Sequence, residues 1–205
     1  MSTIRFNVPN IVGREEDYLR EALSQGHLSG DGPFTKKCHA WLSSHIGGHA
    51  LLTHSCTGAL EMACLLAKLE PGDEVILPSY TFVSTANAVA LRGGVPVFVD
   101  IREDTLNIDE SLIEDAITDR TRAIIAVHYA GVVAEMAAIN EIAERHGLFV
   151  IEDAAQALFS TYHGRSAGTL SHAAAFSFHE TKNVLSGEGG ALILRDEPDF
   201  HRAEI

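Results

Sequence analysis

The chain has 205 residues, 46% hydrophobic and 21% charged, which is ordinary for a globular protein with a sizeable buried core. Its net charge of −13 argues against a nucleic acid or an anionic membrane as its partner. The three cysteines form no close pair, and the N-terminus lacks the pattern of a secretion signal, so we expect a soluble protein of the reducing cytoplasm.

Two amphipathic segments open the chain. Apolar residues recur three and four positions apart in GREEDYLREALSQG (13–26) and GPFTKKCHAWLSSHIG (32–47). This spacing predicts two helices, joined by the loop HLSGDG.

After these helices, short apolar runs alternate with segments of helical period. The runs read as strands covered on both faces. They are 51–53, 75–77, 95–99, 123–127, 148–151 and 191–194. The helical segments between them are 57–69, 81–94, 109–117 and 135–147. This alternation predicts one α/β domain with a mostly parallel sheet.

The last eight residues, PDFHRAEI, follow a predicted core strand directly and read as the start of a new helix. A domain that ends while a helix begins is expected to be truncated. We therefore expect residues 1–205 to be one large domain without its C-terminal part.

In parallel α/β sheets, ligands bind beyond the carboxyl ends of the strands. After the first core run, THSCTGAL places small and hydroxylic residues at the start of a helix. Backbone amides at Thr57 and Gly58 would form an anion site there. The alternative is an ordinary helix cap by Ser55 or Thr57.

Two further strand ends carry notable side chains. Glu152 and Asp153 follow a buried run, where a carboxylate is costly unless a cation meets it or it caps a helix. Phe82 follows the run VILPSY and puts an aromatic ring at the same edge, as a stacking surface or as part of the core.

Lys182 lies between a strand-like segment and the glycine-rich stretch GEGG. A desolvated lysine titrates readily and is suited to forming a Schiff base, although an arbitrary lysine is more often a surface residue. An anion site, an aromatic ring, a strand-end carboxylate and a lysine together match the needs of pyridoxal 5'-phosphate (PLP). They would bind its phosphate, ring, pyridine nitrogen and aldehyde respectively.

Four segments resemble the DegT/DnrJ/EryC1/StrS sugar aminotransferase family: SCTGALEMA, LPSYTFVSTANAV, VIEDAAQA and FSFHETKNVLSGEGGA. The resemblance covers essentially the whole chain. It implies the three-layer large domain of a fold-type I PLP-dependent transferase, with the C-terminal small domain missing. Two further segments, GDGPFTKKCHAWL and FHETKN, are similar to family members that aminate a TDP-linked 4-keto-6-deoxy sugar.

The resemblance also implies catalytic and cofactor-binding roles. Lys182 would bond to the cofactor's aldehyde and carry protons, and Asp153 would pair with the pyridine nitrogen. Phe82 would cover one face of the ring. Gln156 would contact the cofactor either from the other side or at its phenolic oxygen.

The remaining implied contacts concern the phosphate and the substrate. Backbone amides of Thr57 and Gly58 and the hydroxyl of Ser177 would hold the phosphate. His179 and the loop containing Ser29 and Asp31 would approach the sugar nucleotide.

The implied reaction transfers the amino group of L-glutamate to a TDP-linked 4-keto-6-deoxy sugar, in a homodimer. The competing interpretation is a truncated, non-catalytic chain that binds PLP or a partner chain without turnover. The eleven histidines include no close pair followed by an acid, and we expect no metal site.

Overall fold

The computed structural model describes residues 4, 5 and 7–205. Nine strands lie in this part of the chain. They are β1 (His49–Thr53), β2 (Glu74–Pro78), β3 (Val95–Val99), β4 (Thr121–Val127), β5 (Phe149–Asp153), β6 (Thr161–Tyr162), β7 (Arg165–Ser166), β8 (Ala173–Ser177) and β9 (Gly190–Leu194).

Seven of these strands form one sheet in the order β1-β9-β8-β5-β4-β2-β3. Strand β9 runs antiparallel to both of its neighbours, and the other pairs are parallel. The mostly parallel sheet predicted from the sequence is therefore confirmed. Strands β6 and β7 form a separate antiparallel hairpin, which the sequence pattern did not indicate.

The helices in the described residues also agree with the sequence pattern. They are α1 (Glu15–Gln25), α2 (Pro33–Ile46), α3 (Cys56–Leu66), α4 (Val83–Leu91), α5 (Met136–His146) and α6 (Glu197–Ala203). None of them is both long enough and apolar enough to cross a bilayer, as far as the described residues go.

One predicted helix is absent from the described chain. Residues 109–117 form two short 3-10 segments, Glu110–Leu112 and Glu114–Ala116, in place of an α-helix. Their backbone bonds span three residues, and Asp109 Oδ1 accepts the amide of Ser111. Ile113 is fully buried and holds this segment to the core, while Ile117 is already extended on the way to β4.

The core lies in two layers because side chains alternate across the sheet. On β2, Val75 and Leu77 pack on the face covered by α3 and α4, whereas Ile76 faces the layer that contains α5. Strand β5 alternates in the same way, with Ile151 on the first face and Val150 on the second. Both faces are thus buried at β2 and β5, as the continuous apolar runs indicate. The expectation is wrong for β3, which lies at the edge of the sheet and leaves Val95 and Phe98 exposed.

Candidate functional site

A cavity of about 410 Å³ opens where β5 and β8 end and where α3 and α4 begin. Seven of the ten residues predicted to form the site line it. They are Thr57, Phe82, Asp153, Gln156, Ser177, His179 and Lys182. The parallel strands bring these distant segments together at one edge of the sheet.

Asp153 ends β5 and is only 4% exposed. Its Oδ2 accepts a hydrogen bond of 2.7 Å from the Thr85 hydroxyl, and its Oδ1 accepts one of 3.2 Å from the Ala155 amide. Burial raises the pKa of this carboxyl, although the hydrogen bonds and the Lys182 charge act against that rise. The carboxylate is fixed in position and would gain from a cation placed in the cavity.

Two threonines behind Asp153 were not predicted from the sequence as part of the site. Thr85 lies in the first turn of α4 and is fully buried. Because its hydroxyl hydrogen goes to Asp153, its oxygen accepts from Thr81, 2.7 Å away. The available signal in the sequence was the spacing of Thr81 and Thr85, four positions apart and thus on one face of the predicted helix.

Glu152, the neighbour of Asp153, points to the other face of the sheet. It is fully buried and accepts four hydrogen bonds of 2.7–3.0 Å. The donors are the His128 ring, the amides of Gly168 and Leu170, and the Ser171 hydroxyl. His128 Nδ1 accepts the Ala134 amide, so the hydrogen on Nε2 is the one donated to Glu152. Glu152 is a satisfied structural carboxylate.

The start of α3 was predicted to be either an anion site or an ordinary helix cap. Gly58 takes part in a cap, whereas Thr57 lines the cavity. Ser55 Oγ accepts the Gly58 amide at 3.1 Å, so this amide is engaged in a helix cap. Thr57 turns its hydroxyl toward Ser84, at 2.8 Å, and both residues line the cavity. Thr57 therefore reaches the site directly, and Gly58 sits behind it.

Phe82 and Gln156 occupy the cavity wall. Phe82 immediately precedes α4 and is 74% exposed, which leaves its ring available to a bound molecule. Gln156 Oε1 accepts the Ala130 amide at 2.6 Å, so its NH₂ group is the end left to donate to a ligand. Tyr129, beside Ala130, also lines the cavity, and the hydrogen bond that its hydroxyl shares with that of Tyr80 raises the pKa of Tyr129.

Lys182 is half-buried in the loop between β8 and β9. Its backbone amide donates to the His179 carbonyl at 2.9 Å, which closes a tight turn at the cavity. The glycines that follow have distinct uses. Gly187 has a φ of +85°, and a Cβ on Gly190 would lie 2.4–2.6 Å from the backbone of Ser55 and Cys56. Gly190 thus lets β9 touch the start of α3.

The three predicted substrate residues are not all in one place. His179 lines the cavity, and its ring contacts Thr181 and Glu188. In the described part of the chain, Ser29, Asp31 and Gly58 do not line this cavity. Asp31 forms an exposed ion pair with Lys36 at 3.6 Å.

Comparisons with known proteins show the family to which the chain belongs. The family model of the DegT/DnrJ/EryC1/StrS aminotransferases matches residues 9–205. The chain is 45% identical over 189 residues to the spore coat polysaccharide biosynthesis protein SpsC of Bacillus subtilis, covering 91% of this chain and 48% of that protein. It is 40% identical over 190 residues to a GDP-perosamine synthase of Caulobacter vibrioides, covering 92% and 51%.

A solved structure shows the same fold. The putative sugar aminotransferase Spr1654 of Streptococcus pneumoniae, in its PLP form, superposes with a TM-score of 0.90 at 31% identity. The superposition covers 99% of this chain and 56% of that one. The chain spans about half the length of the curated relatives it matches. It belongs to the DegT/DnrJ/EryC1/StrS aminotransferase family, whose enzymes are PLP-dependent sugar aminotransferases.

Proposed function

We propose that this chain is the cofactor-binding domain, over residues 1–205, of an aminotransferase that uses PLP. In this proposal it moves the amino group of L-glutamate to a 4-keto-6-deoxy sugar nucleotide. The observation that carries the proposal is the position of Asp153 and Lys182. A buried carboxylate and a half-buried lysine, 29 positions apart in the sequence, line one cavity.

The residues present fit the cofactor. The carboxylate of Asp153 is buried, and when ionised it would be stabilised by a cationic hydrogen-bond donor. The protonated pyridine nitrogen of PLP is such a donor. Thr57 and Ser177 offer hydroxyl groups for the phosphate, and the amide of Gly58 supports the helix start behind them. Phe82 offers an exposed ring for stacking. Gln156 offers its NH₂ group as a donor.

When bound, PLP supplies an aldehyde that accepts an amine and a ring that withdraws electrons from neighbouring bonds. Lys182 Nζ would serve first as a nucleophile and then as the base that takes a proton and returns it. Asp153 would keep a proton on the group facing its carboxylate, because its two oxygens are already oriented by Thr85 and Ala155. Leu60 and Val127 also line the cavity and would limit the entry of water.

The sugar nucleotide is the finer part of the proposal. The resemblance of GDGPFTKKCHAWL and FHETKN favours a TDP-linked sugar, whereas one relative is named a GDP-perosamine synthase. His179 is the substrate candidate that lines the cavity, and Ser29 and Asp31 remain candidates in an exposed loop. Because a fold does not determine a substrate, both nucleotides belong in the test.

We also propose a homodimer in the cytoplasm. None of the eleven residues of α1 is buried, and its apolar side chains Leu19 and Leu23 are each 64% exposed. Exposed apolar side chains on one helix are expected to be covered by another protein surface, and a second copy of the chain is the occupant that the resemblance implies. The three free cysteines suit a reducing compartment.

The experiment is a glutamate half-reaction with the 205-residue chain loaded with PLP. We expect up to one 2-oxoglutarate per chain, followed by amination of a TDP- or GDP-linked 4-keto-6-deoxy sugar. Lys182→Ala should release none, whereas the surface variant Lys37→Ala should behave as wild type. Tight cofactor binding without any 2-oxoglutarate would instead favour the non-catalytic interpretation.

A further inference from the structure

A second cavity, of about 760 Å³, lies at the opposite edge of the sheet. Strand β5 connects the two sites, because Phe149 at its start lines this cavity and Asp153 at its end lines the first. At about 3.3 Å per residue, the two ends are roughly 13 Å apart. The two cavities are therefore separate sites joined by one rigid strand.

This second cavity, here named the basic cavity, is rich in cations. Five of the 15 lysines and arginines of the chain line it: Lys68, Arg122, Arg165, Arg195 and Arg202. Only two carboxylates line it, those of Glu144 and Asp199. In a chain with a net charge of −13, a third of the cations thus face one cavity. A cleft in which one sign of charge predominates concentrates ligands of the other sign.

The cations of the basic cavity differ in whether they are already paired with a carboxylate. Three of the five are paired with a carboxylate: Arg202 with Asp199 at 3.0 Å, Arg122 with Asp73 at 3.4 Å, and Arg195 with Asp196 at 3.4 Å. Within the described residues, Lys68 and Arg165 have no carboxylate within ion-pair distance. Arg165 donates from Nη2 to the Thr169 carbonyl, which fixes its guanidinium and leaves other donors for a ligand.

Two further features suit an anion. Lys68 follows α3 with a φ of +58°, in a left-handed helix end where its amide donates to the Leu65 carbonyl, and this turn places Lys68 at the cavity. His172 Nδ1 accepts the Val150 amide, so its Nε2–H is a donor at the cavity. Burial and the Arg195 charge lower the pKa of His172, which keeps this tautomer neutral.

We propose that the basic cavity binds a small polyphosphate anion, a group with at least two linked phosphates, separately from the cofactor site. Arginine guanidinium groups bind phosphate oxygens through paired N–H donors, and the volume and the number of cations exceed what one phosphate group needs. Nothing in the proposed aminotransferase reaction requires this site.

The test is calorimetric titration of inorganic pyrophosphate into the chain after saturation with PLP, so that the first cavity is filled. We expect one pyrophosphate per chain, with binding weakened about tenfold or more by Arg165→Gln and by Lys68→Asn. Asparagine tolerates the backbone conformation of residue 68. Arg92→Gln removes the same charge from a position outside the cavity and should change the affinity less than threefold.

Thermal unfolding of each variant shows whether it is folded before titration. Absence of pyrophosphate binding to the wild type would overturn the proposal. So would equal weakening by Arg92→Gln and Arg165→Gln, because that would reflect net charge alone. Retention of PLP by all variants would leave the proposed aminotransferase function standing, so the two proposals fail separately.

Discussion

The hydroxyl of Thr85 donates a 2.7 Å hydrogen bond to Oδ2 of Asp153 across 68 positions of sequence. Both groups are buried, and Thr81 donates in turn to Thr85. This relay links the first turn of α4 to the end of β5. It fixes the orientation of the buried carboxylate that faces the cofactor cavity.

Replacing Thr85 with valine keeps the shape of the side chain and removes the donor. Since a buried carboxylate oxygen then lacks its partner, we expect the free energy of unfolding to fall by about 1–3 kcal/mol and the affinity for PLP to fall about tenfold. Urea unfolding and a PLP titration measure the two effects. Thr85→Ser keeps the hydroxyl and should retain most of both; equal losses in the two variants would contradict this role.

The raised pKa of Asp153 predicts a pH dependence of stability. Its folded-state pKa lies above the ordinary 3.8, so the folded chain holds this proton more tightly than the unfolded chain. The contribution is fully present below about pH 3.8 and is lost as the pH rises through the folded-state pKa. Asp153→Asn does not titrate, so it should gain stability relative to wild type across this window.

The measurement is urea unfolding of both proteins without added PLP, from about pH 3.5 to 7. The difference in free energy of unfolding, variant minus wild type, should rise with pH and then level off. Carboxyls such as Glu74, whose pKa is lowered by Thr118 and Arg120, have the opposite dependence but are common to both proteins. A difference that falls with pH would contradict the burial argument.

Glu152 and Asp153 are adjacent carboxylates with different roles. Glu152→Gln turns an NH₂ group toward donors that need an acceptor, so we expect a loss of about 3 kcal/mol in the free energy of unfolding. Its folded fraction should still bind PLP with near wild-type affinity. Asp153→Asn should show the reverse pattern, with PLP affinity reduced at least tenfold in a stable protein. The same pattern in both variants would refute this division.

The close approach of Gly190 to α3 predicts a steric cost. A Cβ there would lie within 2.6 Å of three backbone atoms of Ser55 and Cys56, which cannot move without shifting the helix start. We expect Gly190→Ala to cost about 2–3 kcal/mol, a fall in Tm of roughly 5–10 °C. Gly30→Ala, where no atom lies within 4 Å of the added Cβ, should leave Tm nearly unchanged. Scanning calorimetry decides the matter, and similar Tm values for the two variants would contradict the argument.

Much of this structure was predictable because it follows local rules. Continuous apolar runs predicted the strands of the large sheet, although β3 at its edge is not covered on both faces, and strand ends pointed to Asp153 and Lys182. The contacts that the pattern could not indicate depend on tertiary pairing. The role of Thr85 appears only when α4 packs against β5. Asp153 and Glu152 are adjacent in sequence, and their roles can be told apart only when it is known which face of the sheet each side chain points to. The basic cavity joins residues from five regions of the chain that no single motif connects.

The most direct test of the cofactor site is to trap its covalent bond. The chain is incubated with PLP and reduced with borohydride, and its proteolytic peptides are weighed by mass spectrometry. Of the four lysines, Lys182 lines the cofactor cavity, whereas Lys36, Lys37 and Lys68 do not. We predict one pyridoxyl group per chain, on the peptide containing Lys182, and almost none in Lys182→Ala. Labelling spread over the other lysines, or undiminished in Lys182→Ala, would contradict the account.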